Sequence, residues 1–343
     1  FGGSSAITAA TCTAACVDWA SMSFVARSCL PNGGIRRRRL HQLQHLWVRT
    51  AIPMGLPSER RCVNVAATMG VNAAPQLRVG LVGLGAIGSY VAQVLRDQRQ
   101  LPQAALVAAL VQRPRPEQPV FCDSKAFVTH DLEAFLAADW NLCVEAAGQA
   151  WVREHGRRVL TSGRSLLVTS VGAFTDDALH EELSTLAAGS GARLLIAAGA
   201  MPGMDWMSSA ALEEVVEATL EQRKRPEGWK GTPAENKFDL DRLTEPTTVF
   251  EGYAREAAAQ YPKNANIAAA LALATVGLDR LNVKLVADPL VLGPTSNISL
   301  RGAAGEISIE VKGAALSQRT SRIVPLAVVK ALRNLSSSEV IGV

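Results

Sequence analysis

Residues 79–88, Val-Gly-Leu-Val-Gly-Leu-Gly-Ala-Ile-Gly, leave this chain few folds to choose from. Val79 to Val82 is a short apolar run of the kind that forms a buried parallel strand. Gly83-x-Gly85-x-x-Gly88 follows at once, and then Ile87, Val91, Val94 and Leu95 recur at helical spacing. Strand, glycine turn and helix in that order give the glycines a physical meaning. Gly83 permits the tight turn, Gly85 lets backbone approach a pyrophosphate, and Gly88 lets the helix pack closely. The first N–H groups of the helix, including those of Ala86 and Ile87, then face phosphate. The stretch reads as the dinucleotide-binding start of a Rossmann-type, doubly wound parallel sheet.

The sequence that follows supports this reading. Leu106–Val111, Phe121–Val128, Trp140–Ala147, Ser165–Val171 and Arg193–Ala198 are apolar strand candidates. Helical patterns from Asp131, over Trp151–Leu160 and over Leu179–Ala188 separate the later ones, with Asp131 as an N-cap and Ser162-Gly163 as a stop. Alternating strands and helices predict a parallel sheet whose ligand sits beyond the strands' carboxyl ends. The small residues Ala147, Gly148, Gly172, Gly199 and Ala200 fall at those ends. The second strand is followed by Gln112-Arg113 rather than by a carboxylate for a ribose 2′-OH. Arg113 suits a 2′-phosphate, because a guanidinium binds phosphate through parallel hydrogen bonds. The expected cofactor is NADP or NAD, with NADP favoured; the alternative is that Arg113 is a solvated loop residue beside NAD.

The 343 residues make room for about two domains. The reading is a leader over 1–76, a dinucleotide-binding domain over 77–200 and an α+β substrate and dimerisation domain over 201–323. A final helix, 324–335, returns to the first domain. In the second domain, strands are expected at Val215–Gln222, Thr248–Gly252, Asn282–Ala287, Asn297–Arg301 and Glu306–Val311, with Arg223-Lys-Arg-Pro breaking the first. A helix is expected over Ile267–Val276, with Asn264 as a candidate N-cap.

The leader is rich in Ala, Ser, Thr and Arg, and holds eight Arg, no Lys and only Asp18 and Glu59 as acids. It resembles an organellar transit peptide or translated non-native sequence. A cytoplasmic location is expected, or a mitochondrial or plastid one if the leader is a transit peptide. Its charge of +6 leaves −2 on the other 267 residues, which does not indicate a nucleic-acid surface. No apolar run reaches the roughly 18 residues of a membrane span, so no membrane is expected. No Cys-x-x-Cys pair occurs, so neither a metal nor a disulfide framework is expected, and Cys143 reads as a buried reduced thiol.

Several motifs together resemble the L-aspartate dehydrogenase family. They are Val82-Gly-Leu-Gly-Ala-Ile-Gly88, Val144-Glu-Ala-Ala-Gly-Gln149, Thr169-Ser-Val-Gly-Ala173 and Ala198-Gly-Ala-Met-Pro-Gly-Met-Asp205, then Glu251-Gly-x-Ala-Arg-Glu256, Tyr261-Pro-Lys-Asn-Ala-Asn-Ile-Ala268 and Ala287-Asp-Pro289. They run in the family's order over about 77–335. The resemblance implies NAD(P)-dependent oxidative deamination of L-aspartate to iminoaspartate, which hydrolyses to oxaloacetate and ammonia, or the reverse amination. It also implies a link to NAD biosynthesis and a homodimer. It places cofactor contacts on Ala200 and Asn266; an Asn amide suits the nicotinamide carboxamide, and a helix cap is the plainer role for Asn266.

One position departs from the pattern. The family reads Asn-x-His-x-Ile after the Asp-Pro, and its His is the catalytic residue. Here the stretch is Pro294-Thr-Ser-Asn-Ile298, with Ser296 in the place of His. The five histidines, His41, His45, His130, His155 and His180, all precede the second domain. A positioned imidazole contributes about 10² to 10⁴ in rate, and a serine has no useful pKa near 7. Lys263 and Asp205 are the expected substitutes, against plainer roles as a loop cation and a helix cap. The alternative function is a non-catalytic dinucleotide-binding sensor or interaction protein.

Overall fold

The structure is a computed structural model that describes residues 77–113, 126–262, 266–316 and 320–342. The leader, the segment holding Arg115 and most of the expected strand from Phe121, and Lys263 and Asn264 lie outside the described residues.

The glycine-led strand, β1 (Leu77–Val82), sits inside a six-stranded sheet with β2 (Ala104–Leu110), β3 (Phe127–Thr129), β4 (Leu142–Glu145), β5 (Ser165–Val168) and β6 (Leu194–Ile196). The order is β3-β2-β1-β4-β5-β6 and every pairing is parallel. The order turns back at β1, so the connections leaving the neighbouring strands β1 and β4 run toward opposite edges and leave a crevice at their carboxyl ends. This is the doubly wound Rossmann sheet that the alternating pattern predicts.

Helix α1 (Ala86–Asp97) buries Val91, Ala92, Val94 and Leu95 on one face of the sheet, and α8 (Ile323–Ser336) lies beside it with Val328, Val329 and Leu332 in the same core. On the other face α2 (Leu132–Ala137), α3 (Gln149–Thr161) and α4 (Asp177–Ser190) cover Phe135, Trp140, Val159 and Leu166. Asp131 caps α2 by accepting from the Glu133 N–H at 2.9 Å. Cys143 is fully buried in β4, where burial pushes its thiol well above the usual cysteine range.

The second sheet has the order β11-β10-β7-β9-β8 and is mixed. Its strands are β7 (Val215–Lys224), β8 (Thr247–Tyr253), β9 (Asn282–Ala287), β10 (Thr295–Gly302) and β11 (Gly305–Lys312). The β7–β9 pairing is parallel and the others antiparallel. One face packs on α5 (Met204–Ala210), α6 (Ala254–Gln260) and α7 (Asn266–Ala274) through Leu220, Tyr261, Leu271, Ile298 and Leu300. No helix among the described residues is long and apolar enough to cross a membrane.

Two elements depart from the sequence reading. The strand expected over Ser165–Val171 stops at Val168, and Val171–Thr175 winds into a 3-10 turn. The cause is the Glu145 carboxylate, which accepts from the Thr169 and Ser170 N–H groups at 3.2 and 3.0 Å and takes them out of the ladder. Conversely, β7 runs on through Arg223 to Lys224, where a break was expected. Arg223 still pairs with Thr295 and Val286, and Lys224 with Ala287.

Glu145 also accepts from the Ala147 and Gly148 N–H groups at 2.8 and 2.7 Å and from the Ser170 hydroxyl at 2.8 Å, with its side chain fully buried. One carboxylate therefore ties together the loops after β4 and β5. Glu145→Gln turns one acceptor edge into a donor against these N–H groups. A buried donor left unpaired costs about 1–3 kcal/mol. The expected result is a loss of roughly 2–3 kcal/mol in urea-midpoint measurements; a change below about 0.5 kcal/mol would show that the loops hold their form without it.

Candidate active site

The site begins at the glycine turn. Gly83 has φ +87°, and a Cβ there would lie 2.6 Å from the Ala146 carbonyl oxygen of the loop after β4. A Cβ at Gly88 would run into the Gly83 carbonyl, so this glycine lets α1 sit directly on the turn. Gly85 caps α1 and has open space where a Cβ would be, as a ligand at the helix start requires. The first-turn N–H groups of α1 have no intrahelical acceptor, and no acidic side chain stands in that turn. Arg113 lies exposed just past β2, the strand whose Leu110 carbonyl accepts from Gly83 N–H at 2.9 Å.

From the turn a cavity of about 520 Å³ opens across the carboxyl ends of β4, β5 and β6. Ile87, Ala146, Thr169, Ser170 and the run Ala197–Ala200 form one wall. Ala147 and Gly148 stand beside it, and because their N–H groups are held by Glu145 they contribute shape rather than donors. Gly148 has φ +120°, a conformation that suits glycine. Asn266, the first residue of α7, forms part of the opposite wall and accepts from the Gly172 N–H at 3.0 Å through its amide oxygen. That bond orients the amide.

The remaining wall is the helix-packed face of the second sheet. Along β7 the alternation puts Ala218, Leu220, Gln222 and Lys224 on this face. Along β10 it puts Ser296, Ile298 and Leu300 there, and Ser296 pairs directly with Gln222. Ser296 is therefore in the cavity wall and only 8% exposed. The Gln222 amide oxygen is buried without a hydrogen-bond partner among the described residues. Lys224 is half-buried and forms part of the same cavity wall. Burial pushes its ammonium down to about 8, from an ordinary value of 10.5. Its Nζ lies 5.5 Å from the centre of the fully buried Trp229 ring.

The structure thus brings Ile87, Ala200, Asn266 and Ser296 to one cavity, with the turn of Gly83, Gly85 and Gly88 at its end. Asp205 is not brought to it. Gly203, with φ +65°, caps α5, and Asp205 falls in the helix's first turn with an exposed side chain that forms none of the wall. It neither faces the crevice nor caps the helix. Lys263 lies outside the described residues. The sequence reading overlooked Gln222 and Lys224. Continuing the period-two pattern of β7 for two residues would have placed both beside Leu220.

Residues 205–335 match the family model "Aspartate dehydrogenase, C-terminal", and residues 83–197 match "Homoserine dehydrogenase, NAD binding domain". The L-aspartate dehydrogenase of Ralstonia pickettii is 38% identical over 264 residues, 75% of this chain and 97% of the relative. L-aspartate dehydrogenase 2 of Bordetella pertussis is 37% identical over 268 residues, 77% and 99% of the two chains. The crystal structure of aspartate dehydrogenase from Thermotoga maritima superposes with a TM-score of 0.61 at 23% identity, over 78% of this chain and 99% of that one, which is a likeness of fold. The first half of the described chain is an NAD(P)-binding domain, and the chain as a whole belongs to the L-aspartate dehydrogenase family.

Proposed function

We propose that this chain is an NAD(P)-dependent L-aspartate dehydrogenase, which deaminates L-aspartate oxidatively to iminoaspartate and so to oxaloacetate and ammonia, or runs the amination in reverse. The observation that carries the reading is the cavity joining the glycine turn to a polar sheet face holding Gln222, Lys224 and Ser296.

The residues present fit a dinucleotide. The open space at Gly85 and the N–H groups of α1 suit a pyrophosphate, and the small side chain of Ala200 leaves room for a flat ring at the end of β6. When bound, the nicotinamide supplies the hydride acceptor. The chain's own groups hold and orient. Gly83, Gly85, Ala86, Ile87 and Gly88 grip the pyrophosphate, and Ala147 and Gly148 form a smooth floor. Asn266 presents its NH₂ edge, since its oxygen is engaged by Gly172. Arg113 reaches the 2′-phosphate, which favours NADP. The homodimer and the supply of iminoaspartate to NAD biosynthesis belong to the same reading.

Ser296 shapes the wall where the family has its histidine, but a hydroxyl does not exchange protons near neutral pH. This substitution favours the second reading, a dinucleotide-binding sensor without turnover. Oxidation of NADPH and NADH, followed by absorbance with oxaloacetate and ammonia, separates the two. Turnover that needs both substrates is expected. Failure with either cofactor, alongside NADPH binding by fluorescence, would replace the enzyme with the sensor.

Arg113→Ala should lower the preference for NADPH over NADH by about tenfold or more, since a charge-assisted hydrogen bond contributes about 1.5–3 kcal/mol. An unchanged ratio of kcat/KM values would remove Arg113 from the 2′-phosphate site.

A further inference from the structure

Oxidative deamination requires a proton to leave before a hydride can. An α-ammonium group has no lone pair with which to form the C=N bond, so a base in the cavity must first take one N–H proton. This argument rests on the aspartate dehydrogenase reading. Among the described residues, His130 follows β3, His155 lies on α3 against Trp151, and His180 on α4 against Phe174. None of them is part of the cavity wall.

We propose that Lys224 is the proton carrier of this site, its Nζ taking the proton from the substrate α-ammonium in deamination and returning it in amination. The substrate N–H bond breaks and its electron pair stays on nitrogen. The proton goes to the Nζ lone pair, so the lysine passes from amine to ammonium. The pair left on nitrogen then forms the C=N bond as the hydride departs from Cα. In the amination direction the same proton goes back from the Lys224 ammonium to the newly formed amine.

The position suits the task. Lys224 sits on the same sheet face as Ser296 and Gln222, within the wall that faces Ala200 and Asn266. Its backbone is held twice: its carbonyl accepts from the Asp288 N–H at 2.8 Å and from the Trp229 indole N–H at 3.3 Å. The side chain thus projects from a rigid element and forms part of the cavity wall. The Trp229 ring beside Nζ favours the ammonium form. Burial favours the amine and brings the group down to about 8, where both forms are populated.

Among the described residues, the charged groups around it are paired with one another. Arg225 and Glu227, on the turn after β7, are exposed at the rim and pair with each other at 3.5 Å. From β10 comes Ser296, from β11 Val311, and from the described part of α7 Asn266, Ile267 and Ala270. Asp288, after β9, pairs with Arg223 at 3.2 Å, and Arg223 alternates to the opposite face.

The test uses the full chain and measures aspartate oxidation across pH in the wild type, Lys224→Met, Lys224→Arg and the double variant Lys224→Met/Ser296→His. In the wild type kcat should fall as pH drops below about 8, because a protonated Lys224 accepts nothing. Both single variants should lose about a hundredfold or more in kcat, with KM for aspartate within about threefold, and should lose that limb of the profile. Adding Ser296→His should return about tenfold, with the limb moved toward the imidazole range near 6.5. A kcat within about threefold of wild type in Lys224→Met overturns the proposal. So does a rise in KM alone that Lys224→Arg repairs, which would make the lysine a carboxylate anchor. A second readout needs no turnover: acetylation of Lys224 by acetic anhydride, followed by peptide mass spectrometry against pH. A midpoint near 8, with slowing by succinate, supports the role. A midpoint at the ordinary lysine value of about 10.4 overturns it even if aspartate is turned over. Absence of aspartate turnover in the wild type overturns the enzyme reading itself, and the proton transfer with it.

Discussion

The buried carboxylate of Glu145 is the interaction on which the site's geometry depends. Parallel strands end side by side, and the loops that leave them carry N–H groups that no neighbouring strand can accept. A carboxylate has about four lone-pair directions, and here five donors from two loops share them. Its charge is met by converging backbone dipoles, the arrangement that also makes backbone concavities bind anions. Because Ala147 and Gly148 spend their N–H groups inward, the floor of the crevice offers contour and no donors. Free N–H donors stand instead on the next element along, the first turn of α1. The two roles are divided between adjacent strand ends.

A second constraint sets the opposite wall. Arg223 bridges Glu221 at 2.7 Å and Asp288 at 3.2 Å, and Asn297 donates to the same Glu221 at 3.2 Å. These bonds join β7, β9 and β10 on the face away from the cavity. Asp288 is only 3% exposed, so its pairing with Arg223 is not a loose surface contact. Register in a sheet decides which face every side chain takes, and a slip of one residue would exchange the Arg223 and Lys224 faces. The ion network outside therefore fixes the polar cluster inside.

Much of this was legible in the sequence, for reasons that can be named. The glycine turn was, because Gly83 and Gly88 answer to backbone contacts that no side chain can relieve. Strand β9 was, since Asn282–Ala287 is bounded by turn residues on both sides. Ser296 could be placed in the site because its neighbours follow a motif. Lys224 was not legible: three cations in a row, Arg223-Lys-Arg225, look like a solvated break. The alternation of β7 continues through that run, held by pairing with β9, and so turns the middle one inward. The end of β5 was hidden too, since what stops it is a side chain from β4, some two dozen residues away. Asp205 was expected at the crevice because it lies in a matched motif, but it falls in the exposed first turn of α5, whose cap is the left-handed Gly203.

The proposed role of Lys224 restricts where the substrate's two carboxylates can lie. At about 4 Å and an effective dielectric of about 20, a carboxylate stabilises an ammonium by roughly 4 kcal/mol, or close to three pKa units. That exceeds the lowering produced by burial, which takes the group from 10.5 to about 8. A carboxylate seated directly on Nζ would therefore return the lysine to its protonated state and end its use as a base. For the proton to move, the carboxylates must be held elsewhere. The cavity offers a cation for this in Arg225 at the rim. The unpartnered oxygen of Gln222 is better matched to the substrate's ammonium than to its carboxylates, because it accepts and they have nothing to donate. Gln222 and Lys224, two residues apart on one strand face, would then hold the same nitrogen from two sides, one as acceptor and the other as base.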